Sequence, residues 1–404
     1  MADFHVYDFE NEYVGKCYYT HKRGRLSSMF SYSLDYLSQS GIYNVDPAFQ
    51  MIEGSQFVDS PIPRAFTDSA PDRWGRNLIY KRHLYEAQVN GVSAKELNDV
   101  DYLLGVSDLA RQGSLRFKID KGGAYVHESS EIPKLIALPK LLNSTNALEA
   151  SGSHEAIKYL LDVGSASLGG ARPKATVRDD NGLFLAKFPH IHDEWDVISW
   201  EYVALSIAKS AGIDVPDFEL VEVDGSKVLL LRRFDRLSNA SNAGEISRVG
   251  YMSAMTLLGA EDGQKADYAD ICLHMADVSV DFSRDLSELY RRIILSILIN
   301  NTDDHLRNHG FLRDGSGWRL SPVFDINPNP ERGEARATSI YGQTDRVVAL
   351  EALRINCSDF KLNEGEAASI LKEIREVVKS WRDIAKRAGI HQREIELMET
   401  AFAQ

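Results

Sequence analysis

The sequence predicts an α+β protein, in which short strands and turns dominate the first half of the chain and helices dominate the second. Residues 151–236 follow the order helix, glycine-rich loop, strand, strand, helix and strand, and helical spacing prevails from about residue 240. A chain of 404 residues exceeds one ordinary hydrophobic core. We therefore predict an N-terminal subdomain over 1–150, a smaller domain over 151–236 and a helical domain over 237–404.

Composition and charge narrow the class of protein. Hydrophobic residues make up 44% of the chain and charged residues 26%, which is typical of a folded protein. The net charge of −13 argues against this chain binding nucleic acid by itself, because phosphate contacts need clustered Lys and Arg. Its three scattered cysteines indicate neither a zinc site nor a disulfide framework. With no signal sequence and no apolar run long enough to span a bilayer, we expect a cytoplasmic protein without membrane contact.

The N-terminal region predicts a small sheet followed by a helix. Strand-like alternation covers residues 4–9 and 13–20, each bounded by turn residues. The stretch from Ser69 onward predicts a helix with Ser69 as the N-cap, Pro71 in the first turn and Asp72 near the positive end of the dipole.

A glycine- and serine-rich loop begins at Gly164 and leads into two predicted strands. Glycines let backbone N–H groups approach a phosphate closely, so the loop is a candidate anion cradle. A Walker A loop is excluded, because Gly170 and Ala171 stand where Lys and Ser/Thr belong and a strand follows. The G-x-G-x-x-G spacing of protein kinases is absent as well, so the loop taken alone is better explained as a flexible turn.

Lys187 ends the second of these strands, and an acidic residue lies on the next helix. Glu201 falls on an apolar stripe with Val197, Ala204 and Ala208. A buried carboxylate needs a cation, and Lys187 is available. A strand lysine held by a helix glutamate is the pair that protein kinases aim at the α- and β-phosphates of ATP. The plain alternative is a lysine that extends to solvent.

The segment INNTDDHLRNHGF, residues 299–311, follows directly on an apolar helix. It is either a solvated loop or a working surface presented by a buried helix. Asp303 precedes Asn308 by five positions, the Asp-to-Asn spacing of kinase catalytic loops. There the Asp accepts a hydroxyl proton and the Asn binds magnesium. Asp325 follows a strand-like stretch, 17 positions after Asn308, and offers a second hard oxygen ligand.

Two further interpretations concern the neighbours of Asp303. Because adjacent carboxylates repel, we expect Asp304 to face solvent or to pair with Arg307. A metal-dependent phosphohydrolase using Asp303, Asp304 and His305 is a weaker hypothesis, since a two-metal site needs more converging carboxylates.

Taken in order, these motifs resemble the HipA family, the serine/threonine kinase toxins of bacterial type II toxin–antitoxin modules. The most specific match is the TD-x-H-x-x-N motif formed by Thr302, Asp303, His305 and Asn308. The similar segments are PDRWGRNLI (71–79), GVSDLARQGSLRF (105–117), SLGGARPKA (167–175), LAKFP (185–189), WEYVALSIAKSAGIDVP (200–216), LLRRFDR (230–236), NTDDHLRNHGF (301–311) and LSPVFDINP (320–328).

The resemblance implies a two-lobed protein-kinase-like fold with an additional N-terminal α/β subdomain, and it implies ATP and Mg²⁺ as cofactors. Asp303 would be the catalytic base and Lys187 the phosphate-contacting lysine, with Glu201 as its structural partner. Asn308 and Asp325 would hold the magnesium ion.

The remaining roles implied by the resemblance concern the nucleotide. The ATP loop would contain Gly169, Gly170, Ala171, Arg172 and Lys174. The segment from Arg232 to Phe234 would be the hinge that meets adenine, and His305 would support the catalytic loop near the cofactor. Ser167 would be the site of an inactivating autophosphorylation.

Two positions depart from the family pattern. Arg172-Pro173-Lys174 stands where a Gln-Glu-Lys run is common, and Pro173 removes one N–H donor from the loop. Arg232 stands at a position where the family often has glutamate.

As partners the resemblance implies a translation-related protein substrate, such as an aminoacyl-tRNA synthetase, and a HipB-like antitoxin through which DNA is mainly contacted. The alternative function is a catalytically weak nucleotide-binding module that docks such an antitoxin.

Overall fold

The computed structural model describes residues 2–128, 131–165, 172–180, 182–238, 246–331 and 333–403. Its chain forms two compact units, of which the first comprises Met1–His192 with Val221–Met252. The second comprises Asp193–Leu220 with Ser253–Gln404. Both units contain helices and strands, so the predicted α+β class is confirmed.

The first unit opens with a five-stranded sheet. Its strands are β1 (Ala2–Tyr7), β2 (Tyr13–Lys22), β3 (Arg25–Tyr32), β4 (Ser55–Phe57) and β5 (Arg116–Lys118). Their order is β4-β3-β2-β1-β5, with β1 antiparallel to both of its neighbours. Phe4 and Val6 alternate along β1 onto one face, where both are fully buried in an aromatic-rich core. The two strands predicted near the N-terminus are therefore confirmed.

Within its described residues the same unit contains the helices α1 (Leu34–Leu37), α2 (Arg64–Asp68), α3 (Arg73–Val89), α4 (Asp99–Leu104), α5 (Leu138–Ser151) and α6 (His154–Asp162). The N-cap predicted for α3 is wrong. Ser69 is the C-cap of α2, whereas α3 begins after Asp72, whose carboxylate accepts the Gly75 N–H. The two residues compete within four positions, and the carboxylate next to the helix takes the cap.

A second sheet of this unit carries the candidate nucleotide residues. Its strands are β6 (Lys174–Arg178), β7 (Leu183–Lys187), β8 (Phe218–Val223) and β9 (Ser226–Arg232), in the order β6-β7-β9-β8. One face packs against the helices, because Ala175 and Ala186 share a core with Leu160 of α6 and Leu78 of α3. Three short strands follow: β10 (Arg236–Ser238), β11 (Ile246–Arg248) and β12 (Tyr251–Ser253).

The second unit is mainly helical. Its helices are α7 (Val197–Ser210), α8 (Ala254–Leu257), α9 (Tyr268–Val278), α10 (Phe282–Leu298), α11 (Arg346–Ile355), α12 (Glu364–Val378), α13 (Trp381–Arg387) and α14 (Gln392–Leu397). Its strands are β13 (Ala266–Asp267), β14 (Gly310–Asp314), β15 (Gly317–Leu320) and β16 (Thr338–Ser339). Leu289, Ile293 and Ile297 of α10 are fully buried, which confirms the predicted core helix.

Two smaller features concern the cysteines and the length of the helices. All three cysteines are buried free thiols. Among the helices that the structure describes, none has both the length and the apolar character required to cross a membrane.

Candidate active site

The segment that follows α10 turns sharply away from the helix. Asn300 adopts a left-handed backbone with φ +53°, and its side chain donates to the Asn329 carbonyl oxygen at 2.8 Å. The Asn301 N–H bonds back to the Ser296 carbonyl oxygen at 2.9 Å. The C-terminal half of α10, which is almost entirely buried, therefore supports the loop that follows it.

Asp303 and Asn308 lie together in this loop. The Asp303 side chain is exposed, whereas Asn308 is buried at the end of a 3₁₀ turn over Leu306–Asn308. The Asn308 Nδ2 donates to the Asp303 carbonyl oxygen at 2.9 Å. This bond fixes the amide so that its oxygen, the atom able to bind a hard cation, takes no part in it.

Asp325 lies in an irregular segment rather than at the end of a strand. The strand-like stretch predicted to end at Asp325 is not a strand, because β15 stops at Leu320 and the Val323 N–H instead donates to the Asp214 carbonyl oxygen at 2.8 Å. Asp325 is half-buried and adopts φ +57°. A left-handed non-glycine residue carries backbone strain, and such residues concentrate at functional sites.

The surroundings of Asp303 raise the pKa of its carboxyl group. Partial burial is the main cause, because the neighbouring protein removes part of the water shell although the side chain reaches solvent. The nearby carboxylates of Asp325, Asp304 and Glu334 add to the increase, and His305 opposes it. A raised pKa makes the carboxylate a better proton acceptor.

We expect the Asp303 carboxyl to titrate above pH 3.9, the ordinary value for aspartate. Because the Asp325 charge contributes to the shift, Asp325→Asn should move the midpoint toward lower pH. Carbon-detected NMR of aspartate-labelled protein, assigned with Asp303→Asn, measures this directly. The control is Asp277→Asn, an exposed change on α9 that should leave the midpoint in place. An Asp303 midpoint that Asp325→Asn leaves unchanged would contradict the electrostatic effect of Asp325 on Asp303.

Asp304 points in the opposite direction to Asp303. Its buried carboxylate accepts hydrogen bonds from the Ser296 hydroxyl at 2.7 Å and from the Tyr268 hydroxyl, and it lies 3.2 Å from His309 Nε2. Arg307 instead lies 3.4 Å from Asp262. The prediction that Asp304 faces solvent or pairs with Arg307 is therefore wrong.

The environment of Asp304 keeps it ionised. Burial by itself raises the pKa of the carboxyl group, but His309, Arg336 and the Tyr268 hydroxyl together hold it well below its usual value. The Thr338 hydroxyl also donates to the Asp304 carbonyl oxygen at 2.6 Å. Asp304 thus anchors the loop from inside while Asp303 is presented outside.

The segment 334–338 supports the same loop from its other side. The Thr302 hydroxyl donates to Glu334 at 2.8 Å, and the Ala337 N–H donates to the Thr302 carbonyl oxygen at 2.9 Å. Arg336 is buried and donates to the Ser296 hydroxyl. Sequence reasoning missed these supports, because they are distant in the chain and form no motif with Asp303.

Lys187 is buried at the end of β7, directly opposite Lys174 of β6. Lys174 is itself buried, and its Nζ lies 2.8 Å from Asp72 Oδ2. Asp72 therefore offsets the repulsion between two lysines in cross-strand register. Glu201 is buried on α7 of the second unit. Its pairing with Lys187 stays a prediction.

The predicted hinge follows β9. Arg232 ends the strand, in register with Phe184, and the Phe234 ring stacks on Tyr251 with centroids 6.5 Å apart. Between the two, Arg233 is buried and forms a bidentate ion pair with Asp235, with bonds of 2.9 and 2.7 Å.

The hinge is tied to the N-terminal region of the same unit. Arg233 donates to the carbonyl oxygens of Ala110 and Arg111 at 2.7 and 3.0 Å, and the Gly113 N–H donates to Asp235 at 2.8 Å. Sequence reasoning did not assign roles to Arg233 and Asp235, although both lie in the quoted segment LLRRFDR.

The remaining predicted residues belong to the glycine-rich loop. Ser167, Gly169, Gly170 and Ala171 lie outside the described residues. Arg172 is half-buried in the described part. The roles of these five residues stay predictions.

The described residues of the site are suited to a magnesium ion that is bound by one or two protein side chains. In the parts of the chain that the structure describes, no group of three or more His, Cys, Asp or Glu residues is arranged to hold a metal. Magnesium is commonly held by one or two side chains together with phosphates and water. The Asn308 amide oxygen and the Asp325 carboxylate are hard donors of that kind.

The geometry first defines a class of protein: an α+β protein whose helical unit presents a carboxylate of raised pKa, next to an amide, in the loop that follows a largely buried helix. The particular family follows from comparison with known proteins. The chain belongs to the HipA family, because the family model described as HipA-like C-terminal domain matches residues 166–381. The resemblance noted in the sequence is confirmed.

Individual relatives support the same assignment. A Haemophilus influenzae protein named "Putative kinase" is 29% identical over 143 residues, which cover 32% of this chain and 42% of that protein. "Putative kinase Y4dM" of Sinorhizobium fredii is 26% identical over 166 residues, covering 37% and 39%. The chain therefore spans only about two fifths of the length of the curated relatives it matches.

A solved structure matches the whole chain. The Shewanella oneidensis MR-1 toxin–antitoxin complex of HipA, HipB and operator DNA contains a chain with a TM-score of 0.66 to this one. The match covers 99% of this chain and 96% of that chain at 15% identity. At this identity the similarity shows a shared fold.

Proposed function

We propose that this protein is an ATP- and Mg²⁺-dependent protein serine/threonine kinase. The observation that carries the proposal is the exposed Asp303 at the end of a buried helix, with the Asn308 amide bonded 2.9 Å away to its carbonyl oxygen. Membership of the HipA family supports it, as do relatives that are named kinases. The proposal includes the two-lobed protein-kinase-like arrangement.

Each site residue has a distinct task in this proposal. Asp303 accepts the proton of the substrate serine or threonine hydroxyl, a task that its raised pKa favours. Asn308 and Asp325 hold magnesium, which when bound neutralises charge on the phosphates. Lys187 contacts the α- and β-phosphates and is oriented by Glu201.

Further residues bind the rest of the nucleotide. The backbone from Arg232 to Phe234 meets adenine, and its position is fixed by the buried Arg233–Asp235 pair. His305 supports the catalytic loop. The glycine-rich loop, with Gly169, Gly170, Ala171, Arg172 and Lys174, covers the phosphates.

Regulation follows from the same loop. Ser167 is proposed as the autophosphorylation site, because a phosphate placed in an anion cradle competes with ATP for the same donors.

The protein substrate is proposed to be translation-related, such as an aminoacyl-tRNA synthetase, and the protein is proposed to act in the cytoplasm. A HipB-like antitoxin is the proposed partner, and DNA is contacted mainly through it. The net charge of −13 and the relative solved with HipB and operator DNA support this.

The alternative function is a catalytically weak nucleotide-binding module that docks an antitoxin. Pro173 favours it, because proline removes an N–H donor from the loop. Pro173 is buried, and its carbonyl oxygen accepts the Phe188 N–H at 3.0 Å, so the residue is built into the sheet edge.

Calorimetric titration with ATP, with and without Mg²⁺, tests the nucleotide and metal sites. We expect Mg²⁺-dependent binding, and we expect Asp325→Asn or Asn308→Ala to weaken it by about tenfold or more, since bonds to charged groups contribute about 1.5–3 kcal/mol. Asp277→Asn, an exposed change in the same unit, should leave the affinity unchanged. ATP binding that changes neither with Mg²⁺ nor with Asp325→Asn would exclude the proposed metal site.

A further inference from the structure

The two ends of the glycine-rich loop are bonded to each other. Ser165 precedes the loop and Lys174 follows it as the first residue of β6. Both are buried, and the Ser165 hydroxyl donates to the Lys174 carbonyl oxygen. Whatever the loop binds, this hydrogen bond, which we call the loop closure, joins its two ends.

One short segment of the N-terminal region contacts both of these residues. The Trp74 Nε1 donates to the Ser165 hydroxyl at 3.4 Å, and the Asp72 Oδ2 lies 2.8 Å from the Lys174 Nζ. Asp72 and Trp74 flank the start of α3, about 100 positions from the loop. The motif PDRWG therefore clamps the loop closure from outside the smaller domain.

The Asp72–Lys174 ion pair is the stronger part of this clamp. The two side chains are only 13% and 3% exposed, so water screens the pair little. Loss of one partner of a buried pair leaves an uncompensated charge. Here loss of the Asp72 charge would weaken the compensation for Lys174, which lies directly across the sheet from Lys187 at the end of the loop.

A third contact lies just before the loop. Gly164 has φ +73°, and a Cβ built on it would lie 2.7 Å from the Ala110 side chain. The backbone before the loop therefore packs directly on the N-terminal region. Three independent contacts thus tie the loop ends to residues before position 112.

We propose that Asp72 and Trp74 are positioning residues for the nucleotide loop, so that the N-terminal region sets the affinity for ATP phosphates. Lys174 acts in this account as an anchor of the loop end. This inference rests on the proposed kinase function for its nucleotide, although the anchoring itself needs no ligand.

Asp72→Asn tests the clamp with little disturbance elsewhere. Asparagine caps helices as well as aspartate, so the bond to the Gly75 N–H at 3.0 Å is preserved while the charge facing Lys174 is lost. We expect faster hydrogen exchange in peptides covering 165–174. We also expect an ATP Kd and KM about tenfold higher with kcat within about twofold of wild type, the pattern for lost uniform binding.

A control is available on α4, where Asp99 contacts the same helix α3. Asp99 pairs with Arg76 of α3 at 2.7 Å, and Arg76 has no part in the loop closure. Asp99→Asn removes the same charge and should leave loop exchange and ATP affinity unchanged. Trp74→Phe removes the N–H donor at Ser165 together with part of a buried ring, and serves as a second variant.

The outcomes separate the clamp from the kinase proposal. If loop exchange in Asp72→Asn equals that of wild type and Asp99→Asn, the clamp is refuted whatever the protein binds. If exchange rises only in Asp72→Asn but the wild type binds no ATP, the clamp stands and the proposed function fails. An equal rise in exchange across all peptides would show general destabilisation and would also refute the clamp.

Discussion

Asp303→Asn is expected to lower the rate of phosphoryl transfer by about 10²–10⁴-fold, the range that a positioned general base contributes. Asparagine is isosteric with aspartate but cannot accept the hydroxyl proton. The Asn308 amide bonds to the backbone carbonyl of residue 303, so the substitution leaves that contact in place. The exposed side chain contributes little to the core, and the melting temperature should be unchanged.

Phosphate incorporation from radiolabelled ATP, measured beside a thermal melt and an ATP titration, checks this prediction. The control is Asp277→Asn, an identical change at an exposed position of α9 that should keep full activity. Retained activity in Asp303→Asn would remove Asp303 from the chemistry and would favour the docking-module alternative.

Asp304→Ala is expected to have the opposite phenotype, a large loss of stability. The substitution leaves buried Tyr268, Ser296 and His309 without their shared partner. Breaking a buried pair from one side costs about 3–5 kcal/mol in the free energy of unfolding. Urea denaturation measures this loss, and Asp303→Asn in the same loop is the control that should show almost none.

The stabilisation by Asp304 should also depend on pH. The pKa of Asp304 is lowered in the folded protein, so its contribution is fully present above about pH 3.9, the ordinary value for an unfolded aspartate. It is lost as the pH falls further, toward the folded-state pKa. The difference in unfolding free energy between wild type and Asp304→Ala should therefore shrink in acid. A difference that is small or constant with pH would contradict the buried, ionised state.

The contrast between Asp303 and Asp304 shows how far sequence reasoning reaches here. The periodicity of α10 is a local property, and the core helix that it predicts is confirmed. The spacing of Asp303 and Asn308 is local as well, and the roles inferred from it stay predictions. The partners of Asp304 come from α9, α10 and the segment near Arg336, up to 36 positions away. No local pattern identifies such partners, so the sequence alone could not predict the burial of Asp304.

Lys174 illustrates the same limit for an ion pair. The resemblance places Lys174 in the ATP loop, whereas the structure pairs its ammonium group with Asp72, 102 positions earlier. The helix start at Asp72 is local, yet Ser69 and Asp72 are both good N-caps. The choice depends on α2, a five-residue helix that ends just before Ser69 and has no clear signature in the sequence.

The most direct test of the central claim is the intact mass of the purified protein after incubation with Mg²⁺ and ATP, compared with Asp303→Asn. The account predicts that the wild type gains one phosphate, mapped to Ser167, and that the variant gains none although it still binds ATP. A wild type that binds ATP but gains no phosphate, on itself or on an added protein substrate, would contradict the claim that this protein is a kinase.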